Sequence, residues 1–400
     1  MAEPDQTLAL AIKGYAWLPD LRRRAGGRPV PLRVMGQRAV GICGPSATQF
    51  FYAEGNLERH TAVPKLVVDT LFGRGAVHTL DGDVHRARKA LFVSLLMNGG
   101  IEALAKLADE AFDAASDRWR GGPAVSVFDE AAQAICRGVT RWCGVPPAPG
   151  LAADLIAMVD GFATVGPRHW RALAARRRRE RWLADLIQGV RDDDVTVPRD
   201  APIAAIARHV ENGEPLDPHT AAVEVLNIIR PATAVAWLVA FAGHALDRWP
   251  RHRGLLRAAD TDFTRAFTHE VRRFYPFTPF LAGRAARDLT LQGQAIPAGT
   301  LVLLDVYGQN HDPALWERPY EFRPDRFIGR QIGEFDLIPQ GGGDPRTGHR
   351  CPGERITIAL LGTLAQRLAR LDYYLPPQDL DIDLSRIPAR PTSGVRIVVP

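Results

Sequence analysis

The stretch IPQGGGDPRTGHRCPGE, from Ile338 to Glu354, places one cysteine, Cys351, between a glycine-rich run and a segment with helical periodicity. The three glycines at 341–343 allow tight turns and a close approach of the backbone to a flat ligand. A cysteine at the start of a helix lies among free backbone N–H groups at the positive end of the helix dipole, and both favour a thiolate. The pattern therefore predicts that Cys351 is a metal ligand.

The number of available ligands restricts the metal. No second cysteine lies near Cys351 in the sequence, so this stretch cannot build a structural zinc site. Haem iron is the remaining cofactor that takes a single thiolate. The alternative is that Cys351 is a small buried side chain beside a glycine turn, and the stretch alone leaves it open.

The same stretch resembles the cysteine loop of the cytochrome P-450 superfamily, in which a His or Arg and then Cys-x-Gly follow a glycine-rich loop. His349, Cys351 and Gly353 match those places. The usual Phe-Gly-x-Gly is replaced by the longer QGGGDPRTG, which resembles the peroxide-using fatty-acid peroxygenases within the superfamily. The resemblance implies a mainly α cytochrome P-450 fold: one helix-rich haem-thiolate domain over residues 1–400, with small β-sheet regions. It also implies haem b (iron protoporphyrin IX) as the cofactor.

A second segment, TLFGRGAVHTLDGDVHRARKALFVSLL, joins a glycine-punctuated loop carrying Phe72 and His78 to a predicted helix carrying His85 and Lys89. The two helix residues resemble the superfamily's His-x-x-x-Arg, which is directed at the haem propionates, with lysine acting as a point charge in place of arginine. A solvated lysine on the helix surface is the alternative. The haem-binding residues that the resemblance implies are Cys351 as iron ligand, His349, Lys89 and Arg59.

The segment that begins near Asp217, DPHTAAVEVLNIIRPATAVAWLVAFAGHALDRW, is apolar nearly all round and predicts a helix through the protein interior. Arg230 lies within it and is followed by Pro231. A buried guanidinium needs an anion as partner, and a proline inside a helix removes a hydrogen bond and kinks the helix. Two unfavourable features at one place predict a functional site.

Most cytochromes P-450 carry an acid and a threonine at this place, whereas Arg230-Pro231 resembles the peroxygenases, where the arginine holds a fatty-acid carboxylate. A fixed structural carboxylate or a haem propionate is the alternative partner. The implied catalytic residues are Arg230, His78 and Pro231. The implied substrate-binding residues are Arg230, Phe72, His78, Val165 and Phe280, although an ordinary core role is also open for Phe72, Val165 and Phe280.

The resemblance implies that hydrogen peroxide oxidises fatty acids without a redox partner, with the substrate carboxylate on Arg230 as general acid–base. A carboxylate held near the iron presents Cα and Cβ, so α- or β-hydroxylation, or decarboxylation to a 1-alkene, is expected. In the family that the chain resembles, histidine at the position of His78 occurs in members that make substantial 1-alkene, so the resemblance implies some alkene here, and an imidazole that titrates near neutral pH gives a physical reason. The alternative is that His78 only packs or hydrogen-bonds in its loop. The alternatives are a conventional monooxygenase that depends on redox partners and a haem-thiolate fatty-acid-binding or sensor protein without turnover.

Composition and charge set broad bounds on the rest of the chain. The 400 residues are 46% hydrophobic with a net charge of +5, which suits an anionic substrate and argues against nucleic acid as a partner. The run from Arg171 to Trp182 is interpreted as a solvated helix. Scattered cysteines indicate a reducing compartment, and no apolar leader or membrane anchor is recognised, so a cytoplasmic protein is expected.

Two further patterns predict β-strands and a structural ion pair. Residues 28–43 alternate as two short strands around Gly36-Gln37, and residues 287–313 are interpreted as strands. Glu270 and Arg273 match the superfamily's Glu-x-x-Arg, which implies a structural brace for the cysteine loop.

Overall fold

Helices dominate the computed structural model, which describes residues 4–97, 99–162, 164–211 and 213–400. The α-helices within these residues are α1 Thr7–Lys13, α2 Trp17–Arg24, α3 Pro45–Tyr52, α4 Lys65–Val67, α5 Gly82–Met97, α6 Ile101–Ser116, α7 Val127–Cys143, α8 Leu151–Asp160, α9 Pro167–Arg191, α10 Pro202–Ala207, α11 Pro218–Thr233, α12 Val235–Arg248, α13 Arg251–Arg257, α14 Thr261–Phe274, α15 Val306–Asn310 and α16 Glu354–Arg370. The predicted mainly α class with small β regions is confirmed.

The largest sheet has five strands. The strands of the described residues are β1 Val30–Val34, β2 Gln37–Ile42, β3 Leu57–Glu58, β4 Val125–Ser126, β5 Val210–Glu211, β6 Glu214–Pro215, β7 Phe280–Ala285, β8 Leu289–Leu291, β9 Gln294–Ile296, β10 Leu301–Asp305 and β11 Arg396–Ile397. The order in the largest sheet is β1-β2-β10-β7-β3. Only β2 and β10 run parallel there, with Ala39 opposite Leu301. The predicted hairpin of β1 and β2 is confirmed, with Gly36 at a φ of 72°.

The prediction of strand structure up to residue 313 is wrong at its end. The chain forms α15 directly after β10, because the Asp305 side chain caps the new helix by accepting the backbone N–H of Gly308 at 2.7 Å. A capping aspartate therefore redirects an apolar segment that its composition alone assigns to a strand.

Helices α11 and α12 run through the largest hydrophobic cluster and are separated only by Ala234. Pro231 lies inside α11, which continues to Thr233, so the predicted interior helix is confirmed, while the kink at the proline stays a prediction. The segment Pro218–Arg248 is long and apolar enough to cross a membrane, yet 94% of its apolar window is buried within the fold.

Helix α14 stabilises the segment that precedes the cysteine loop. Glu270 and Arg273 are fully buried and form an ion pair with a closest N–O distance of 2.7 Å. Glu270 also accepts the backbone N–H of Arg323 at 2.7 Å, and Arg273 donates to the carbonyl of Asn310 at 2.7 Å. The pair thus joins α14 to two later segments and fixes their position before α16 begins.

Candidate active site

Cys351 lies three residues before α16, as predicted, but its surroundings do not favour a free thiolate. Its backbone N–H donates to the carbonyl of Gln340 at 3.1 Å. Burial raises the pKa of the Cys351 thiol, and the nearby Lys89 only partly opposes this. The expectation that the helix start alone favours a thiolate is therefore wrong, because desolvation outweighs it. A bound metal ion would deprotonate such a thiol outright.

Within the described residues, no group of three or more His, Cys, Asp or Glu side chains could hold a metal ion. Cys351 therefore has no companion ligands that would make a zinc site with it. The donor set around it is one sulfur, which fits haem iron.

Two buried cations, Lys89 and Arg59, lie near the cysteine loop and have no carboxylate partner among the residues described. Lys89 donates to the carbonyl of Arg350 at 2.6 Å, and burial lowers its pKa to about 8. Arg59 donates to the carbonyl of Ala282 at 2.6 Å and stacks on the Phe51 ring, while its Nε has no partner. Burial excludes the alternative of a solvated lysine on the helix surface. Buried cations of this kind fit the propionate groups of haem.

His349 and His85 form a stacked pair beside these cations, with ring centroids 3.9 Å apart. Burial lowers the pKa of His349 to about 2, with help from Arg59, and that of His85 to about 4, with help from Lys89. Both rings are therefore neutral near pH 7, and they add hydrogen-bonding groups to the site without adding charge.

Arg230 is a buried cation that forms no ion pair within the described part of the chain. Its side chain lies inside α11, where the residue is 5% exposed, and its Nη2 donates to Oδ1 of Asn227 at 3.1 Å. Its Nε has no partner, and no carboxylate of the described residues forms an ion pair with it. Burial, reinforced by Arg176, lowers its pKa to about 9, so the guanidinium remains charged near pH 7. The alternative of a fixed structural carboxylate therefore has no support in this part of the structure.

His78 lies close to Arg230 and stacks on Phe72, with centroids 4.5 Å apart and rings inclined by 23°. Burial lowers the pKa of His78 to about 3, and the charge of Arg230 contributes in the same direction. The expectation that this imidazole titrates near neutral pH is wrong. His78 is neutral at pH 7, and its buried Nδ1 has no partner among the residues that the structure describes, so it remains available for one hydrogen bond.

Arg176 lies at the site, although no sequence pattern distinguishes it from the arginines beside it. Arg176 is buried, and it donates to the carbonyl of Phe72 at 2.7 Å and to Glu180 at 2.6 Å. Arg179, from the same basic run, is buried against Asp154. The interpretation of the run as a solvated helix is therefore wrong for these two arginines, which fix neighbouring segments.

Two polar residues of α11 also contact the loop that runs from Phe72 to His78. Glu224 accepts the backbone N–H of Val77 at 2.9 Å, and Asn227 donates to the carbonyl of Phe72 at 3.0 Å. Together with Arg230 they occur at every third position in the stretch 221–232, whose other residues are apolar, and this spacing is a signal that the sequence contains.

The remaining predicted residues differ in location. Val165 is 81% exposed between α8 and α9, so its predicted place along an interior tunnel is wrong in this structure. Phe280 begins β7 and packs edge-on against Trp17 at 6.0 Å, so its role at the substrate stays a prediction. Pro231 is exposed although Arg230 and Ala232 are buried, so its ring lies on an accessible side of α11.

Comparison with known sequences extends over parts of the chain. The family described as Cytochrome P-450 matches residues 258–379. Cytochrome P-450 71A8 of Mentha piperita is 35% identical over 144 residues, which are 34% of this chain and 27% of the relative. A putative cytochrome P-450 137 of Mycobacterium tuberculosis is 29% identical over 50% of this chain and 40% of its own length. The chain thus spans less than half the length of these curated relatives.

Comparison with solved structures extends over the whole chain. Cytochrome P-450SP alpha in complex with (R)-ibuprophen has a TM-score of 0.95 and 37% identity over 99% of this chain and 98% of its own. Cytochrome P-450EX alpha with myristic acid has a TM-score of 0.95 and 33% identity over 100% and 97%. A variant of cytochrome P-450 OleT in complex with arachidonic acid also reaches 0.95, with 36% identity over 98% and 96%.

Proposed function

Because the chain belongs to the cytochrome P-450 superfamily, and within it to the fatty-acid peroxygenases, we propose that it uses hydrogen peroxide to oxidise fatty acids. The observation that carries the proposal is Arg230, a buried cation whose hydrogen-bonding partner is a neutral amide. A buried charge of this kind requires an anion, and a fatty acid supplies a carboxylate together with an apolar tail. The solved relatives that hold myristic and arachidonic acids support the same ligand class.

The haem of this family would be held by Cys351 as iron ligand, with Lys89, Arg59 and His349 around it. The fit rests on one isolated sulfur and on two buried cations whose side chains, in the part of the chain described, donate hydrogen bonds to carbonyls and not to carboxylates. When bound, a thiolate-ligated haem supplies the oxidising chemistry, since the thiolate favours cleavage of an O–O bond. In this proposal haem b is the form used.

Arg230 determines which part of the substrate reacts. A carboxylate paired with its guanidinium fixes the head of the acid, so that Cα and Cβ are the carbons nearest the reacting centre. The same carboxylate acts as general acid–base. Glu224 is the nearest acid on this helix, but its oxygens already accept from Arg88, Asn227 and the N–H of Val77. The products are therefore α- or β-hydroxy acids, 1-alkenes, or both.

Three wider statements belong to the proposal. Residues 1–400 form one haem-thiolate domain, which is supported by structural relatives that cover 98% to 100% of the chain. No redox partner is required, because Arg230-Pro231 stands where most of the superfamily carries an acid and a threonine. The protein acts in the cytoplasm, which its four free cysteines support.

The test compares the protein as it is with Arg230→Ala, using hydrogen peroxide and no reductase. Wild-type protein should oxidise a saturated fatty acid, and the variant should lose acid binding and turnover together. The loss should be on the order of 3 kcal/mol in binding, because the carboxylate would be buried without its partner. Arg177→Ala, an exposed arginine on α9, is the matched control and should behave as wild type.

Three results would contradict the proposal. Turnover that needs a reductase would indicate a conventional monooxygenase. Binding of fatty acid with a spectral change but no consumption of peroxide would indicate a binding or sensor protein. Full activity of Arg230→Ala would show that another group holds the acid.

A further inference from the structure

Three buried polar residues follow one another at intervals of three along α11: Glu224, Asn227 and Arg230. Asn227 is the central one and uses both ends of its amide. Its Oδ1 accepts from Nη2 of Arg230 at 3.1 Å, while its Nδ2 donates to Oε2 of Glu224 at 3.1 Å and to the carbonyl of Phe72 at 3.0 Å. The amide therefore connects the cation, the nearest acid and the loop that carries His78.

The charges around this amide are unevenly paired. Glu224 forms an ion pair with Arg88 at 2.6 Å, and Arg88 also pairs with Glu211. Arg176, which lowers the pKa of Arg230, pairs with Glu180 at 2.6 Å. Arg230 therefore differs from the two other buried arginines of this cluster, because its partner is uncharged. Its full charge is left for a ligand.

We infer that Asn227 is a positioning residue for fatty-acid recognition, which fixes the guanidinium of Arg230 without neutralising it and separates it from Glu224. The inference deepens the proposed function and depends on it. An acidic side chain here would act as an internal counter-ion and compete with the substrate carboxylate. A small apolar side chain would release the guanidinium and weaken its alignment.

A second consequence concerns the geometry of the site. The carbonyl of Phe72 accepts from both Asn227 and Arg176, and Phe72 stacks on His78. The orientation of Arg230 is thus set relative to the same loop that presents His78. Asn227 therefore fixes the distance between the group that binds the carboxylate and the neutral imidazole beside it.

The test uses Asn227→Asp, which keeps the size of the side chain and adds a negative charge beside the guanidinium. Dissociation constants are measured for the haem-loaded protein at pH 8 with a saturated fatty acid and with the alcohol of the same chain length. Acid binding should weaken about tenfold or more, as expected for opposite charges in close contact. Alcohol binding should stay within about twofold of wild type, since it does not use the charge.

Asn227→Ala is the second variant, because an added buried charge could prevent folding. It removes the hydrogen bond that Asn227 accepts from Arg230 and adds no anion. Acid binding should therefore weaken less than in Asn227→Asp, while alcohol binding is unchanged. The carbon monoxide difference spectrum and the midpoint of thermal unfolding serve as folding controls. A variant is used for the comparison of affinities when its spectrum and its unfolding midpoint both match those of wild type.

Each other result overturns the inference. Equal weakening of acid and alcohol would show that Asn227 only supports the packing of the loop. Wild-type acid affinity in both variants would show that Arg230 needs no positioning by the amide. If wild-type protein binds the acid no better than the alcohol and Arg230→Ala changes neither, the proposed function itself fails and this inference fails with it.

Discussion

Burial determines the protonation of the individual side chains at the site. It lowers the pKa of Lys89 to about 8 and that of His78 to about 3, and it raises the pKa of the Cys351 thiol. In each case desolvation favours the neutral form. Near pH 7 His78 and the Cys351 thiol are therefore neutral, whereas Lys89 and Arg230 remain charged, and ligands must bring the compensating anions.

The first prediction concerns Cys351. Reduced protein with carbon monoxide should show the red-shifted Soret band of thiolate ligation, and Cys351→Ala should lose it because the other buried cysteines, such as Cys136, lie elsewhere in the core. Cys43→Ala is the matched control and should keep the band. A band that persists in Cys351→Ala would sink the assignment.

The second prediction concerns His78. With one saturated fatty acid, wild type should give hydroxy acids and some 1-alkene, and His78→Gln should shift the ratio toward hydroxy acids. The rigid imidazole stacks on Phe72, whereas a flexible amide cannot hold one donor in the same place.

The pH dependence of the same ratio checks the protonation of His78. Since its pKa is lowered to about 3, the imidazole does not change charge between pH 6 and pH 8 and should not alter the ratio there. A ratio that rises steeply as the pH falls from 7.5 to 6, in wild type but not in His78→Gln, would contradict the low pKa. An unchanged ratio with lower turnover in His78→Gln would limit its role to turnover.

At the scale of the elements, the loop between Phe72 and His78 depends on α9 and α11 for its shape. Arg176 donates to the carbonyls of Leu71 and Phe72, and Gly73 follows at a φ of 87° with the guanidinium directly against it. A Cβ at Gly73 would lie 2.2 Å from Nη2 of Arg176, so the close approach requires glycine here.

The third prediction follows from this arrangement. Arg176→Ala should lower the free energy of unfolding by about 3 kcal/mol, because it removes a buried cation that pairs with Glu180 and donates to the carbonyls of Leu71 and Phe72. It should also speed amide hydrogen exchange over residues 71–79. Arg177→Ala removes an exposed arginine from the same run and should change neither quantity. Equal effects of the two substitutions would show that the hydrogen bonds of Arg176 to the carbonyls of Leu71 and Phe72 do not stabilise the loop.

Several elements were predictable because their patterns are local. The periodicity that defines α11 and α16 lies within each segment, and the turn between β1 and β2 follows from Gly36. By contrast, adjacent arginines such as Arg176 and Arg177 are indistinguishable in sequence, although one is buried and one is exposed. Which of them faces inward depends on how α9 packs against α11, and that information is not local.

The protein as a whole holds several buried or half-buried histidines outside the site. Burial lowers the pKa of His244, His252 and His269 to about 4 and that of His311 to about 3. The unfolded chain binds more protons than the folded chain between these values and about 6.5, so stability falls as the pH drops through that window. Asp305 acts in the opposite sense, since burial raises its pKa to about 6.

The fourth prediction uses His252, whose two ring nitrogens have no hydrogen-bond partner in the part of the chain described. It lies near Phe263, Phe267 and Phe322. His252→Phe should make the free energy of unfolding fall less steeply between pH 7 and pH 5, because one proton-binding group of the unfolded chain is removed. Urea unfolding at several pH values measures the slope. A slope equal to that of wild type would mean that His252 is protonated in the folded state as well.

The candidate site was predictable in part for the same physical reasons. Cys351 and Arg230 were identifiable because a lone thiol before a helix and a charge in an apolar helix are each exceptional in their surroundings. Val165 was misplaced because an apolar residue in a connecting segment can face either way, and the structure leaves it exposed. The low pKa of His78 depends on burial and on Arg230, which is distant in sequence.

The parallel pairing of β2 with β10 also constrains when the sheet can close. Ala39 lies opposite Leu301, and nearby Thr48 bonds to Gln309 across 261 positions of sequence. During synthesis the hairpin of β1 and β2 therefore exposes an unpaired edge until most of the chain has been made. A nascent chain with such an edge is prone to aggregation or chaperone capture, so this enzyme should be most vulnerable just before β10 leaves the ribosome.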